Sequence, residues 1–452
     1  MNSLRITVGG VRGVVGESLT PDLIVRYSQA LGTFLDRTRV LVSRDTRQSG
    51  PMVANCAISG LVAAGCEIID LGICPTAALQ LAVQNSFAGG GLAITAGHNP
   101  RQWNALKPVR GDGNFLNPTQ SNEVLDIYHQ AEFAKARWDE LHPVATDQEA
   151  GQRHLDAIHR ELDTDDIRKG NLSVAIDCVN GACSEYAPRL LQMLQVKHVA
   201  MNTETHLPFP HDPEPASQNL TQLQALVKAT GADIGFGFDA DGDRIGVVCH
   251  DGTAPGDEAA LCLAEEMILR RGDPGPVVTN LSTTQAIDEI AEKYGRTVVR
   301  TPVGQAYIAE AASNYQAAVA GEGSGGCVFP RLNYAHDSIA AMGHILQLVC
   351  QSGQTLKEIV GQLPEFHMEK QVVPCPVAEA YSVLEKIREQ PVPDWVQKRD
   401  DRDGMKLSGD DRWVHVRVSI TEPIIRVITE AKEQETARRL AEQYVHEVRQ
   451  RM

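Results

Sequence analysis

Asp239, Asp241 and Asp243 alternate directly after the apolar run Ile234-Gly235-Phe236-Gly237-Phe238. In an extended or turning loop this spacing lets three carboxylates converge. They repel one another unless a hard divalent cation neutralises them, and Mg²⁺ accepts oxygen ligands of this kind. An EF-hand is excluded, because the sixth loop position is Arg244 where glycine is needed and the twelfth is His250 where glutamate is needed.

A second constellation is Arg417-Val418-Ser419-Ile420-Thr421-Glu422-Pro423, with Arg426 close behind. One guanidinium, two hydroxyls and several loop amides suit the multi-acceptor geometry of a phosphate. Taken alone, serine and threonine in a loop more often cap turns. Gly321-Glu322-Gly323-Ser324-Gly325-Gly326 has the spelling of a dinucleotide-binding turn, but Cys327-Val328-Phe329-Pro330 follows it rather than a helix. No helix N-terminus is then offered to a pyrophosphate, and Glu322 would oppose one. Lys107 by itself reads as a solvated surface lysine, the usual fate of that residue. Arg44-Asp45-Thr46-Arg47-Gln48-Ser49-Gly50 reads as a helix-capping turn after a strand. Asp337 reads as the N-terminal cap of the helix that follows it, and His336 beside it as an alternative contact for an anionic ligand.

The elements that must hold these residues alternate short β-branched runs with longer amphipathic stretches. Strands are expected at Val40–Ser43, Glu67–Asp70, Gly91–Ile94, Leu172–Ile176, Ile234–Phe238, Pro276–Thr279 and Ala317–Ala320. Repeated βαβ units imply mixed, mainly parallel sheets with ligand loops at the strand ends. Polar breaks near Thr146–Gly151, Thr253–Asp257 and Gly361–Pro364 divide the chain. The expected units are 1–150, 151–255 and 256–365, all α/β, and a smaller α+β unit, 366–452, ending in a charged helix from Thr429 to Arg451. The three α/β units show no sequence self-similarity strong enough to establish a repeat.

At 452 residues the chain exceeds one hydrophobic core, in line with that division. A formal charge of −16 argues against nucleic-acid and anionic-membrane partners, and an anionic substrate must be met by a few placed arginines. The N-terminal residues lack the apolar run of a signal peptide, and no stretch is long enough to span a membrane. Ten scattered cysteines without metal-type spacing read as buried small hydrophobes in a reducing, cytoplasmic setting.

Together these motifs resemble the active-site set of the phosphohexomutases, over the whole length of the chain. The matching stretches are Ile94-Thr95-Ala96-Gly97-His98-Asn99-Pro100, Asp239–Arg244, Gly321–Gly325, Arg417–Pro423, the turn Gly9-Gly10-Val11-Arg12-Gly13 and Trp103-Asn104-Ala105-Leu106-Lys107. The resemblance implies four domains around a central cleft and the interconversion of hexose 1- and 6-phosphates through a phosphoenzyme and a bisphosphate. It implies Mg²⁺ on Asp239, Asp241 and Asp243, and a hexose bisphosphate as activator. Arg12, His98, Lys107 and Arg244 are expected around the transferring group, with Lys107 as an acid/base. Glu322 and Ser324 are expected on the sugar hydroxyls, and Arg417, Ser419 and Thr421 on the phosphate that is not transferred. The partner implied is a hexose phosphate, with the protein a monomer or homodimer. Among the sugars, glucosamine phosphate is favoured over glucose and mannose phosphates.

The chain departs from the family pattern at three places. Val418 stands where proline is common, and Gly326 where many members carry a histidine. Most consequential is Gly97, which stands where the family carries the phosphorylated serine of Thr-Ala-Ser-His-Asn-Pro. Glycine has no oxygen to phosphorylate, and electrostatic preorganisation does not replace a missing nucleophile. Three readings follow: a laboratory substitution that impairs a working mutase, a natural divergence to a catalytically inactive sugar-phosphate-binding or regulatory relative, or takeover of the chemistry by another group such as His98.

Overall fold

The β-branched runs assemble into four sheets in a computed structural model that describes residues 4–7, 9–419 and 423–452. In the first unit four strands, Arg39–Arg44, Glu67–Ile73, Gly90–Ile94 and Trp103–Arg110, lie in the spatial order second, first, third, fourth. The first three are parallel and the fourth runs antiparallel. The same order and directions recur in Ser173–Asp177, Lys197–Met201, Ile234–Phe238 and Ile245–Cys249. They recur again in Val277–Asn280, Val298–Thr301, Val319–Glu322 and Gly326–Val328. The three units are thus topological repeats that their sequences do not reveal. In each, the motif loop joins the third strand to the antiparallel fourth, at the carboxyl end of a parallel strand where α/β sheets place ligands. The Gly97 loop, the aspartate loop and the Glu322 loop are therefore equivalent positions of three copies of one device.

The first sheet is extended by Arg5–Thr7 and Gly10–Val14 on one edge and by Ala145–Thr146 on the other. Gly10–Val14 pairs with Trp103–Arg110, setting Arg12 opposite Ala105. The second and third units share one continuous apolar core, whereas the last unit has its own. That unit is a five-stranded antiparallel sheet carrying the helices Val377–Arg388 and Gln434–Arg451. All ten cysteines are free, and all but Cys56 and Cys350 are buried. No helix among the described residues is long and apolar enough to cross a membrane.

Of the expected boundaries that move, two have a visible cause. The strand anticipated at Ala317–Ala320 is Val319–Glu322, because the Ala317 amide still closes the end of the preceding helix on Ala312. The last helix begins at Gln434, not Thr429. Thr429, Glu430 and Ala431 are buried and complete the strand Ile424–Ala431, which is paired on both sides. Tertiary pairing overrides the helical propensity of the charged run there.

Glu265 lies within the helix Ala259–Arg271, fully buried, with neither carboxylate oxygen hydrogen-bonded. Burial, then Asp288 and Glu266, push its pKa well above the ordinary value. Below the unfolded-state pKa of about 4.3 both states keep the proton and the group is neutral to folding. Above it the unfolded chain releases a proton that the folded chain retains, so stability falls as pH rises towards the folded pKa. Glu265→Gln should therefore stabilise the protein by about 1–3 kcal/mol at pH 7 and by little near pH 4. Urea denaturation at the two pH values checks this, and a gain independent of pH would show that Glu265 is ionised in the fold.

Candidate active site

The loop Thr95–Pro100 leaves its strand through a turn in which the Gly97 amide donates to Thr95 Oγ1 (3.0 Å). Thr95 Oγ1 donates in turn to Asp45 Oδ2 (2.7 Å), which also takes Arg47 Nε (2.9 Å). Arg47 is wholly buried and donates to the carbonyl oxygens of Gly97 (2.6 Å), Asn99 (2.8 Å), Pro100 (2.8 Å) and Trp103 (3.1 Å). One guanidinium thus sets the path of the whole loop. The Arg44–Gly50 segment is a clamp for this loop rather than only a helix cap, and no side-chain cap bond is made by Ser49.

Gly97 adopts φ +54°, in the left-handed region, and is buried. A Cβ placed on it would lie 3.4 Å and 3.5 Å from the two Asp241 carboxylate oxygens and 3.7 Å from Lys107 Nζ. Position 97 therefore points directly at the aspartate loop. Arg12 Nη1 donates to Asn99 Oδ1 (2.6 Å), and burial, aided by neighbouring Arg244, lowers its pKa to about 10. His98 lines the cleft; Arg244, burial and then Arg12 and Lys107 hold its pKa well below the usual value.

The aspartate loop is stapled from both sides. The Thr76 amide donates to the Asp241 carbonyl (3.0 Å) and the Ile245 amide to the Gly325 carbonyl (3.1 Å), tying the second unit to the first and third. Asp239, Asp241 and Asp243 are all buried. Lys107 is buried as well, against the surface position expected from its residue type, and its Nζ bridges Asp241 Oδ2 (2.8 Å) and Asp243 Oδ2 (3.0 Å). Burial opposes the charge on Lys107, but Asp241 and Asp243 outweigh it and raise its pKa. For Asp241 burial works against ionisation and Lys107 overcomes it, leaving its pKa well below the carboxylate range. Asp239 is pushed up by burial and by Asp241 and Asp243, which outweigh the opposing Arg244. One oxygen of each residue, Asp239 Oδ2, Asp241 Oδ1 and Asp243 Oδ1, is buried without any hydrogen-bond partner. Three buried carboxyl oxygens without partners are a donor set that fits a hard cation such as Mg²⁺. Among the described residues no three ligating side chains are already drawn together as a finished metal cage.

On the third unit, Glu322 accepts from Ser324 Oγ (2.6 Å) and Asn280 Nδ2 (3.1 Å) and pairs with Arg244 (3.6 Å). Burial opposes its ionisation, but His336 and Arg244 prevail and lower its pKa. Arg244 also pairs with Glu214 (2.9 Å), so it joins the aspartate loop to both Glu322 and Glu214. Asp337 caps its helix by accepting from the Ala340 amide (2.9 Å), while His336 is buried against Gln305 (2.9 Å). A Cβ at Gly326 would come within 2.4 Å of the His336 ring, so that ring requires glycine there.

Arg12, Gly97, His98, Lys107, Asp239, Asp243, Arg244, Glu322, Ser324, Arg417 and Ser419 all border one cleft of about 780 Å³. Asp241 lies just behind it, and Thr421 lies outside the described residues. Arg417 and Arg426 face each other across adjacent strands, and both line the cleft. Sequence reading passed over Arg47, Gln305, Glu214 and Asp403. Each reaches the site from a loop or, for Gln305, a helix start remote in sequence, and only for Arg47 did the surrounding segment carry a signal.

The fold and the loops have counterparts. Sequence profiles described as "Phosphoglucomutase/phosphomannomutase" match the chain in four consecutive pieces: alpha/beta/alpha domain I over residues 5–135, domain II over 152–252, domain III over 255–366 and the C-terminal domain over 373–447. A phosphoglucomutase/phosphomannomutase of Thermococcus kodakarensis is 34% identical over 96% of both chains. This chain belongs to the phosphoglucomutase/phosphomannomutase family. A probable phosphoglucosamine mutase of Methanopyrus kandleri is 33% identical over 97% of this chain and 96% of that one. Among solved structures, a putative phosphomannomutase from Thermus thermophilus superposes with a TM-score of 0.84 at 25% identity, over 99% of both chains. Family membership makes the chain a phosphohexomutase-type isomerase in scaffold, an intramolecular phosphotransferase by class.

Proposed function

We propose that this protein binds a hexose phosphate across the cleft, with one phosphate on Arg417, Ser419 and Thr421 and the sugar hydroxyls on Glu322 and Ser324. The other end of the sugar then lies between Arg12, His98, Lys107 and Arg244. Mg²⁺ held by Asp239, Asp241 and Asp243 supplies charge neutralisation for a transferring phosphoryl group when bound. Lys107, buried beside that end and kept protonated by Asp241 and Asp243, is placed to hold a proton at a sugar oxygen. The native chemistry of the scaffold is exchange between the 1- and 6-oxygens, primed by a hexose bisphosphate. Because Gly97 offers no acceptor oxygen, turnover by this chain is very low.

The observation that carries this reading is the direction of position 97, whose missing side chain would reach Asp241 and Lys107 at contact distance. Glucosamine phosphate is favoured as the sugar, in keeping with relatives named phosphoglucosamine mutase. The left-handed backbone at Gly97 favours a second reading, a sugar-phosphate binder without catalysis, because a serine there is strained by about 1–2 kcal/mol.

Calorimetry and a coupled assay on glucosamine, glucose and mannose phosphates, with and without bisphosphate, test the proposal together. Binding with negligible turnover is the expected result. Arg417→Ala should weaken binding by about 1.5–3 kcal/mol, the range for a hydrogen bond to a charged group, with the melting temperature retained. A fall in melting temperature at unchanged affinity would make Arg417 a structural residue and remove the phosphate grip.

A further inference from the structure

The residue that stands behind Arg417 is Asp403, in the turn between the strands Lys398–Asp400 and Met405–Ser408. Its Oδ2 accepts from Arg417 Nε (3.1 Å) and from the Val303 amide of the third unit (2.9 Å). Its carbonyl oxygen meets His415 Nε2 (2.5 Å), and His415 Nδ1 meets Ser282 Oγ (2.9 Å), again in the third unit. Arg417 and Val303 both border the cleft. A guanidinium that spends its Nε edge on a carboxylate is held in one plane and leaves its Nη edge for a two-pronged contact with phosphate.

We propose that Asp403 is a positioning residue, orienting Arg417 for phosphate and tying that grip to the loop that carries Val303. The inference rests on Arg417 being the phosphate grip. Two residues beyond Val303, Gln305 Nε2 donates to Asp243 Oδ2 (3.0 Å), the same oxygen that Lys107 Nζ holds (3.0 Å). A single loop of the third unit thus touches the phosphate end through Asp403 and the aspartate loop through Gln305. All four units are joined by the run Arg417–Asp403–Val303, then Gln305–Asp243–Lys107. Contiguity alone does not establish coupling, which must be measured as a non-additive free energy.

The test is calorimetric titration of glucosamine 6-phosphate into the full chain, its Asp403→Ala and Arg417→Ala variants and the double variant. Asp403→Ala should weaken binding about tenfold. The double variant should bind within about twofold of Arg417→Ala alone, because Asp403 acts through the guanidinium. Effects that multiply in the double variant would make Asp403 an independent stitch between units and overturn the proposal. Should Asp403→Ala lose its fold, Asp403→Asn still offers Val303 an acceptor and removes the charge facing Arg417. It should then bind more weakly than wild type, and affinity equal to wild type overturns the proposal. If Arg417→Ala itself leaves affinity unchanged, the phosphate-grip reading falls and this inference with it. An effect of Arg417→Ala without one of Asp403→Ala removes only the inference.

Discussion

After incubation with a hexose 1,6-bisphosphate, the Gly97→Ser variant should gain the mass of one phosphoryl group, and the glycine form should gain none. The warrant is steric and electrostatic at once. A side chain at position 97 meets the Asp241 oxygens at 3.4 Å and 3.5 Å and Lys107 Nζ at 3.7 Å, which is ordinary contact rather than a clash. The backbone at φ +54° opposes a non-glycine residue, but by only about 1–2 kcal/mol, and Arg47 holds the loop through four carbonyls. The serine hydroxyl therefore enters a site whose cations and carboxylates are already in place. Loss of a nucleophile costs hydrolases up to about a millionfold in turnover, so a gain of at least about a thousandfold is expected with bisphosphate present. A variant that folds and binds sugar phosphate yet neither takes up phosphate nor turns over would hand the function to the binding-protein reading. Normal turnover by the glycine form would exclude a serine relay and move attention to His98 and Lys107.

The second large effect concerns the aspartate loop. Asp241→Asn should weaken Mg²⁺ binding at least about a hundredfold, since changes merely next to a metal ligand already cost about 10–100-fold. Asp241 is the carboxylate held ionised by Lys107 and anchored by Thr76, whose hydroxyl donates to it (3.3 Å). The asparagine retains a hydrogen-bonding group for Thr76, so the fold should survive while a full negative charge is lost. Titration of Mg²⁺ by calorimetry, with melting temperature as a control, separates the two effects. Equal Mg²⁺ affinity in both proteins would remove the metal from Asp239, Asp241 and Asp243 altogether.

Much of this was legible from local pattern. Alternating aspartates after a buried strand, a glycine-rich turn not followed by a helix, and an Arg-x-Ser-x-Thr segment are short-range features, and β-branched runs mark strands without reference to the rest of the chain. Gly97 was conspicuous for the same reason, since one side chain departs from an otherwise complete motif. The Asp337 cap, too, lies within three residues of its partner.

What the sequence by itself determined was the family, and with it the kind of chemistry expected and the loops proposed to bear it. The tertiary structure alone decided which loops meet and in what electrical state. Lys107 is separated from Asp241 by 134 positions, and Thr76 from Asp241 by 165. No local periodicity predicts that a lysine will be buried as the counter-charge of two carboxylates, or that Arg47 will clamp a loop fifty residues on. The shared strand order of the three units was equally hidden, because hydrogen-bonded backbone fixes topology while side chains diverge. Thr429–Ala431 turned from expected helix to strand for the same reason: two neighbouring strands offer its backbone partners that the sequence around it cannot show.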